Sequence, residues 1–129
     1  MKFSNLHQHS TFSDGKHTPE EIVLKAIEKG MESIGFSDHF MTPYEIEVGY
    51  NGITENNQTN YFKEINRLKE LNGHKINLFK GIEVDLYSLL NTKLYDYVIG
   101  SVHYLEHGLK TYPIDHTAKQ QLDYIKDIS

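Results

Sequence analysis

The feature that most constrains this chain is a recurring junction, in which short apolar runs end in a histidine or an acid. Ser33-Ile34-Gly35-Phe36-Ser37 runs into Asp38-His39, Ile76 to Ile82 runs into Glu83 with Asp85 just beyond, and Tyr97 to Val102 stops at His103. A first run, Phe3 to His9, closes on His7 and His9. Short apolar runs of this kind read as strands. Between them the period changes to that of a helix. Thr18-Pro19-Glu20-Glu21 is a capping box with proline at the first helical position, Ile22, Val23, Ala26 and Ile27 form the apolar stripe, and Gly30 is the stop. Tyr61 to Leu71 repeats the pattern through Phe62, Ile65, Leu68 and Leu71, and Ala118 to Ile128 does so through Leu122, Ile125 and Ile128. Alternating strands and helices predict an α/β chain with a parallel sheet and right-handed crossovers. In such sheets ligands gather at the C-terminal strand ends, where all four polar junctions fall.

The remaining stretches are less patterned. Met41 to Asn60, with Pro43, Gly49, Gly52 and an Asn-rich run, reads as one long loop. Ser88 to Leu94 reads as a helical turn or two, and the stretch after His103, with His107 and His116, as loop.

Composition narrows the chemistry. A length of 129 residues suits a single domain. A net charge of -5 with one arginine, Arg67, argues against nucleic acid, whose binding needs clustered cations for counterion release. The absence of cysteine excludes disulfides and thiolate sites, so a metal centre would have to use imidazole and carboxylate. No window approaches the ~20 apolar residues of a membrane span, and the N-terminus lacks an apolar signal core. A cytoplasmic protein with no membrane partner is the expectation.

His7 and His9 lie one residue apart, so in an extended segment both imidazoles point to one side and can reach one ion. Asp14, beside Gly15, offers a carboxylate to the same ion or a neighbour. The competing reading makes His7 and His9 a solvated strand end and Asp14 a turn cap. Zinc, iron or manganese suits such donors, and Glu83 could bridge two ions through its two oxygens. Paired ions lower the pKa of a bridging water and neutralise a transferring phosphoryl group. Hydrolysis of a small phosphate ester is therefore the expected reaction class.

Together His7-x-His9-Ser10 with Ser13-Asp14-Gly15, Ser37-Asp38-His39, Gly81-Ile82-Glu83-Val84-Asp85 and Gly100-Ser101-Val102-His103-Tyr104 resemble the PHP family, polymerase and histidinol phosphatase, most closely its histidinol-phosphatase branch. The resemblance runs from Leu6 to Pro113-Ile114-Asp115 and the helix behind it. It implies a distorted (β/α)7 barrel, a site of up to three divalent metal ions, and hydrolysis of L-histidinol phosphate in histidine biosynthesis. Carried over by motif, His7 and His9 bind one ion, Glu83 bridges it to a second held also by His103, and Asp14 and His39 hold a third. Asp14, His39 and His17 are the implied catalytic groups, His17 as one that meets substrate.

Each assignment has its alternative. Asp38 would orient His39 from behind, as carboxylates often do for ligating imidazoles; Asp85 would be solvated or stand behind a ligand; His103 could be a satisfied core histidine; His74 reads as a plain turn residue. Family barrels run to roughly twice this length by the usual size of such folds. Their further His or Cys ligand and late Asp-x-His pair have no counterpart before Ser129. The chain is thus expected to be the N-terminal half of the barrel, with an open face inviting self-association. A phosphatase acting on another small phosphomonoester or a nucleotide, and a catalytically silent metal-binding module, are the rival readings.

Overall fold

The computed structural model describes residues 2–115 and 117–128. In chain order it contains β1 (Ser4–Asn5), α1 (Pro19–Glu28), β2 (Ser33–Phe36), β3 (His39–Phe40), α2 (Pro43–Val48), α3 (Gln58–Asn72), β4 (Asn77–Asp85), β5 (Tyr97–Ser101), β6 (Tyr104–His107), β7 (Lys110–Pro113) and α4 (Ala118–Ile128). A 3-10 turn, Thr92–Leu94, precedes β5.

Strands β1, β2, β4 and β5 pair side by side in that order, all parallel, and β3 joins β4 on the side of β2. Phe36 stands opposite Lys80 and His39 opposite Glu83. This is one continuous register, so β2 and β3 act as a single strand interrupted at Ser37-Asp38. The interruption matters to the site, because it frees the Asp38 side chain to meet the loop after β1.

The core lies between one face of the sheet and the helices. α3 buries Tyr61, Ile65 and Leu68 at helical spacing, and α1 buries Val23 and Ala26. These pack with Ile34, Phe36, Leu78 and Ile82 of the strands. Burying each such aliphatic side chain contributes about 1.5–3 kcal/mol. The helices thereby fix the sheet, and the sheet fixes where its C-terminal edge stands.

Several expectations require correction. The first strand covers only Ser4–Asn5, and His7 and His9 follow it in irregular chain. Residues 41–60 are not one loop. They contain α2, started by a capping box in which the Thr42 hydroxyl accepts from the Glu45 N–H and the Glu45 carboxylate accepts from the Thr42 N–H. Thr42-Pro43-Tyr44-Glu45 repeats the signature that opens α1, but a helix of six residues leaves no periodic stripe to notice. α3 begins at Gln58, three residues early, and leaves Leu71 exposed. The stretch after His103 is an antiparallel hairpin, β6 with β7, rather than loop. Its strands are four residues each, burying only Tyr104 and Tyr112, so their pairing with each other rather than an apolar run makes them strands.

Candidate metal centre

Every junction singled out in the sequence arrives at the same place. Glu83 lies near the C-terminal end of β4, two residues before the strand closes, with its side chain only 5 % exposed. Its Oε2 lies 2.9 Å from His7 Nε2 and 2.8 Å from His9 Nε2. His39 Nδ1 stands 3.8 Å from the same oxygen, and His103 Nε2 stands 3.4 Å from Oε1. One nearly buried carboxylate thus has four imidazoles around it.

Asp14 extends the cluster outward. Its Oδ1 lies 2.8 Å from His9 Nδ1, and its Oδ2 lies 3.6 Å from His39 Nε2. The rings of His9 and His39 meet edge to face at 4.4 Å, and those of His39 and His103 at 5.2 Å. Three groups have donor atoms close enough to share an ion: His7, His9 and Glu83; His9, Asp14 and His39; His39, Glu83 and His103. They overlap at His9, His39 and Glu83, so they form a continuous run of nitrogen and oxygen donors. That donor set fits a divalent metal ion.

Burial alone would raise the Glu83 carboxyl, but the His7 hydrogen bond with the nearby His39 and His9 rings outweighs it and holds the group below the ordinary glutamate value. Asp14 behaves alike: burial opposes ionisation, and the His9 bond with the His39 and His9 rings brings its carboxyl below the aspartate value. Both acids are thus held as carboxylates, the form that ligates metal.

The supporting residues are less visible in the sequence. Asp38, fully buried, does not orient His39. Its carboxylate accepts from the Ser10 N–H, the Ser10 hydroxyl and the Ser13 hydroxyl, tying down the loop that carries His9 and Asp14. Asn51 Nδ2 donates to the Ser13 carbonyl at 2.6 Å and holds the same loop from the other side. Asp85 is buried rather than solvated, accepts the His103 backbone N–H and lies 3.5 Å from its Nδ1. Buried serines and acids have only hydrogen-bonded places to go, but sequence cannot say whose.

Other candidates fall outside the cluster. The exposed His17 ring stands 3.8 Å from Glu21 Oε2, joins none of the three groups, and lines the rim of the cleft beside His7 and His9. His74 is an exposed turn residue, and His107 ends β6 opposite Lys110. His116 lies outside the described residues. A cleft of about 430 Å³ adjoins the cluster at Asp14, His39 and His103, with Tyr50, Tyr104, Glu45 and Asp115 on its other walls. The Tyr104 hydroxyl donates to Glu45 at 2.9 Å, so hairpin and α2 brace that wall together.

A partial α/β barrel with histidine and carboxylate donors at the C-terminal edge of a parallel sheet defines a class, the barrel metalloproteins that build their site from strand ends. Within that class the chain belongs to the PHP domain family, whose model matches residues 5–128. It is 32 % identical over 115 residues to a histidinol-phosphatase of Lactococcus lactis subsp. lactis, covering 80 % of this chain and 40 % of that protein. A crystal structure of a candidate histidinol phosphatase from Listeria monocytogenes shares the fold with a TM-score of 0.73 at 23 % identity, over 92 % of this chain and 51 % of the other. The Lactococcus lactis histidinol phosphate phosphatase, solved with zinc, L-histidinol and phosphate, matches at 28 % identity and a TM-score of 0.63, over 97 % of this chain and 51 % of that one. The chain therefore spans about half the length of the relatives it matches. Among the described residues no helix is long and apolar enough to cross a membrane.

Proposed function

We propose that this chain is the N-terminal, metal-holding part of a phosphoesterase that hydrolyses L-histidinol phosphate to histidinol and phosphate in histidine biosynthesis. The observation that carries the reading is the convergence of His7, His9, His39 and His103 on Glu83, in a chain whose relatives include a histidinol-phosphatase and a structure holding zinc, L-histidinol and phosphate. His7, His9 and Glu83 would hold one ion, Glu83, His39 and His103 a second, and His9, Asp14 and His39 a third. Zinc, iron or manganese so bound supplies charge neutralisation at the phosphoryl oxygens and an acidified water. The residues of the chain do the rest. Asp14 and His39 border the cleft at the cluster and would meet the reacting phosphate, and His17 on the rim would contact the substrate body.

The cleft favours this substrate over a nucleotide. Beside His39 and His103, Glu45 and Asp115 line it together with tyrosine rings, and among the described residues no lysine or arginine lines that part, Lys16 standing in the adjoining cleft with His17. Such walls suit a cationic amine or imidazole and offer nothing to additional phosphates. Phosphate release from L-histidinol phosphate, other phosphomonoesters and nucleoside monophosphates by the zinc- or manganese-loaded chain tests the reading. Preference for L-histidinol phosphate supports it, and a loaded chain that releases phosphate from none of them leaves the silent metal-binding module.

β1 and β5 each have one sheet neighbour among the described residues, with Val98 exposed on β5 and Phe3, Leu6 and Val102 exposed just beyond the strand ends. Free edges with apolar flanks favour association, and a second copy of the chain is the proposed partner, checked by mass in solution. We place the protein in the cytoplasm, where a chain without cysteine needs no oxidising compartment.

A further inference from the structure

We infer that Tyr97 is a positioning residue of the metal centre, one that holds the ends of β1 and β2 at the spacing that brings His7, His9 and His39 onto Glu83. The inference rests on the metal-centre reading above. Tyr97 opens β5 directly opposite Gly81, so the pleat sends its side chain to the face that also carries Glu83 and, across the register, His39. That face is bare beneath the ring. A Cβ on Gly81 or on Gly35 would run into the Tyr97 ring, so these two glycines let the ring lie directly over the backbones of β4 and β2.

The ring thereby spans the sheet, and its hydroxyl arrives at the far strand. Tyr97 Oη lies 2.6 Å from the Leu6 carbonyl oxygen and 3.2 Å from the Phe36 carbonyl oxygen. A phenol has one proton, so it donates to the nearer Leu6 oxygen and shares with Phe36 at longer range. Leu6 immediately precedes His7, and Phe36 ends β2 just before Ser37-Asp38-His39.

This anchor falls where the sheet provides none. The ladder between β1 and β2 covers only Ser4 and Asn5, and the next backbone tie joins the Ser37 N–H to the Gln8 carbonyl. His7 sits between them with its side chain 57 % exposed, the least enclosed of the four imidazoles. The Tyr97 hydroxyl fixes the peptide from which His7 projects, and it does so from the strand that delivers His103.

Tyr97→Phe keeps the ring over Gly35 and Gly81 and removes only the hydroxyl. Tyr95→Phe is the comparison, because its hydroxyl bonds Gln58 on α3, away from the cluster. Zinc affinity by chelator competition, the visible spectrum of the Co²⁺ form and the thermal midpoint of the metal-free chain are measured for each. Tyr97→Phe is expected to fold, to weaken zinc by about 10–100-fold, the range for losing a group that orients ligands, and to change the cobalt bands. Tyr95→Phe is expected to lower the thermal midpoint without a change in zinc affinity. Replacing Tyr97 with 4-aminophenylalanine, which returns a donor, is expected to recover zinc binding. Zinc affinity of Tyr97→Phe within about threefold of the parent, an equal loss in Tyr95→Phe, or failure of Tyr97→Phe to fold each overturns the inference. No zinc on the parent overturns the metal-centre reading together with it, whereas zinc on the parent and on Tyr97→Phe alike sinks the Tyr97 role alone.

Discussion

The Asp38 carboxylate grips Ser10 twice, taking its backbone N–H at 2.7 Å and its hydroxyl at 2.9 Å, and both residues are fully buried. The interruption between β2 and β3 and the loop after β1 are joined through this pair. Leaving a buried donor without its acceptor costs about 1–3 kcal/mol, and Asp38 serves three. Asp38→Ala is therefore expected to lower unfolding free energy by on the order of 3 kcal/mol, because the three losses overlap. Urea denaturation of the metal-free chain measures it. The same variant should also bind zinc more weakly, since the loop carries His9 and Asp14.

Asp85 stands to His103 as Asp38 stands to the first loop. It accepts the His103 N–H and approaches its Nδ1, which also lies 3.3 Å from the Ser101 hydroxyl. Asp85→Ala should release this histidine and weaken the group it forms with His39 and Glu83. Zinc titration is expected to show the affinity of that site reduced about 10–100-fold, while the site of His7, His9 and Glu83 is retained.

Away from the centre, Asp96 gives a pH dependence with a definite sign. Burial opposes its ionisation, yet the Lys69 ammonium at 2.8 Å and the Lys80 backbone N–H at 2.7 Å hold its carboxyl below the ordinary value of 3.8. A carboxyl depressed on folding binds fewer protons folded than unfolded, so its contribution is complete above the unfolded value and is lost as pH falls through the folded one. Stability of the metal-free chain should decline as pH drops below about 4, and Asp96→Asn should flatten that part of the profile. Thermal midpoints taken between about pH 5 and 2.5 test the difference, and identical slopes for parent and variant would contradict it.

Much of this was legible in the sequence, for a physical reason. Apolar runs closing on Asp38-His39, Glu83 and His103 carry both the strand signal and the ligand signal, so the parallel sheet and the position of its polar edge emerge together. The capping box at Thr18 marks α1 to the residue. α2 escaped because six residues carry no period, and the hairpin escaped because Tyr104–His107 and Lys110–Pro113 are stabilised by pairing with each other. The partners of Asp38, Asp85 and Tyr97 were out of reach for another reason. Their bonds cross 28, 18 and 91 positions of chain, and only the fold decides which serine, amide or carbonyl waits at the other end.

The central claim, that His7, His9, Asp14, His39, Glu83 and His103 form a metal centre, is tested most directly by metal content. The chain is incubated with zinc, desalted and measured by elemental analysis, beside a variant carrying His7→Ala with His9→Ala. At least one zinc per parent chain, with a clear loss in the double variant, is the predicted result. A parent that retains no zinc, or a double variant that keeps the full content of the parent, would contradict the account.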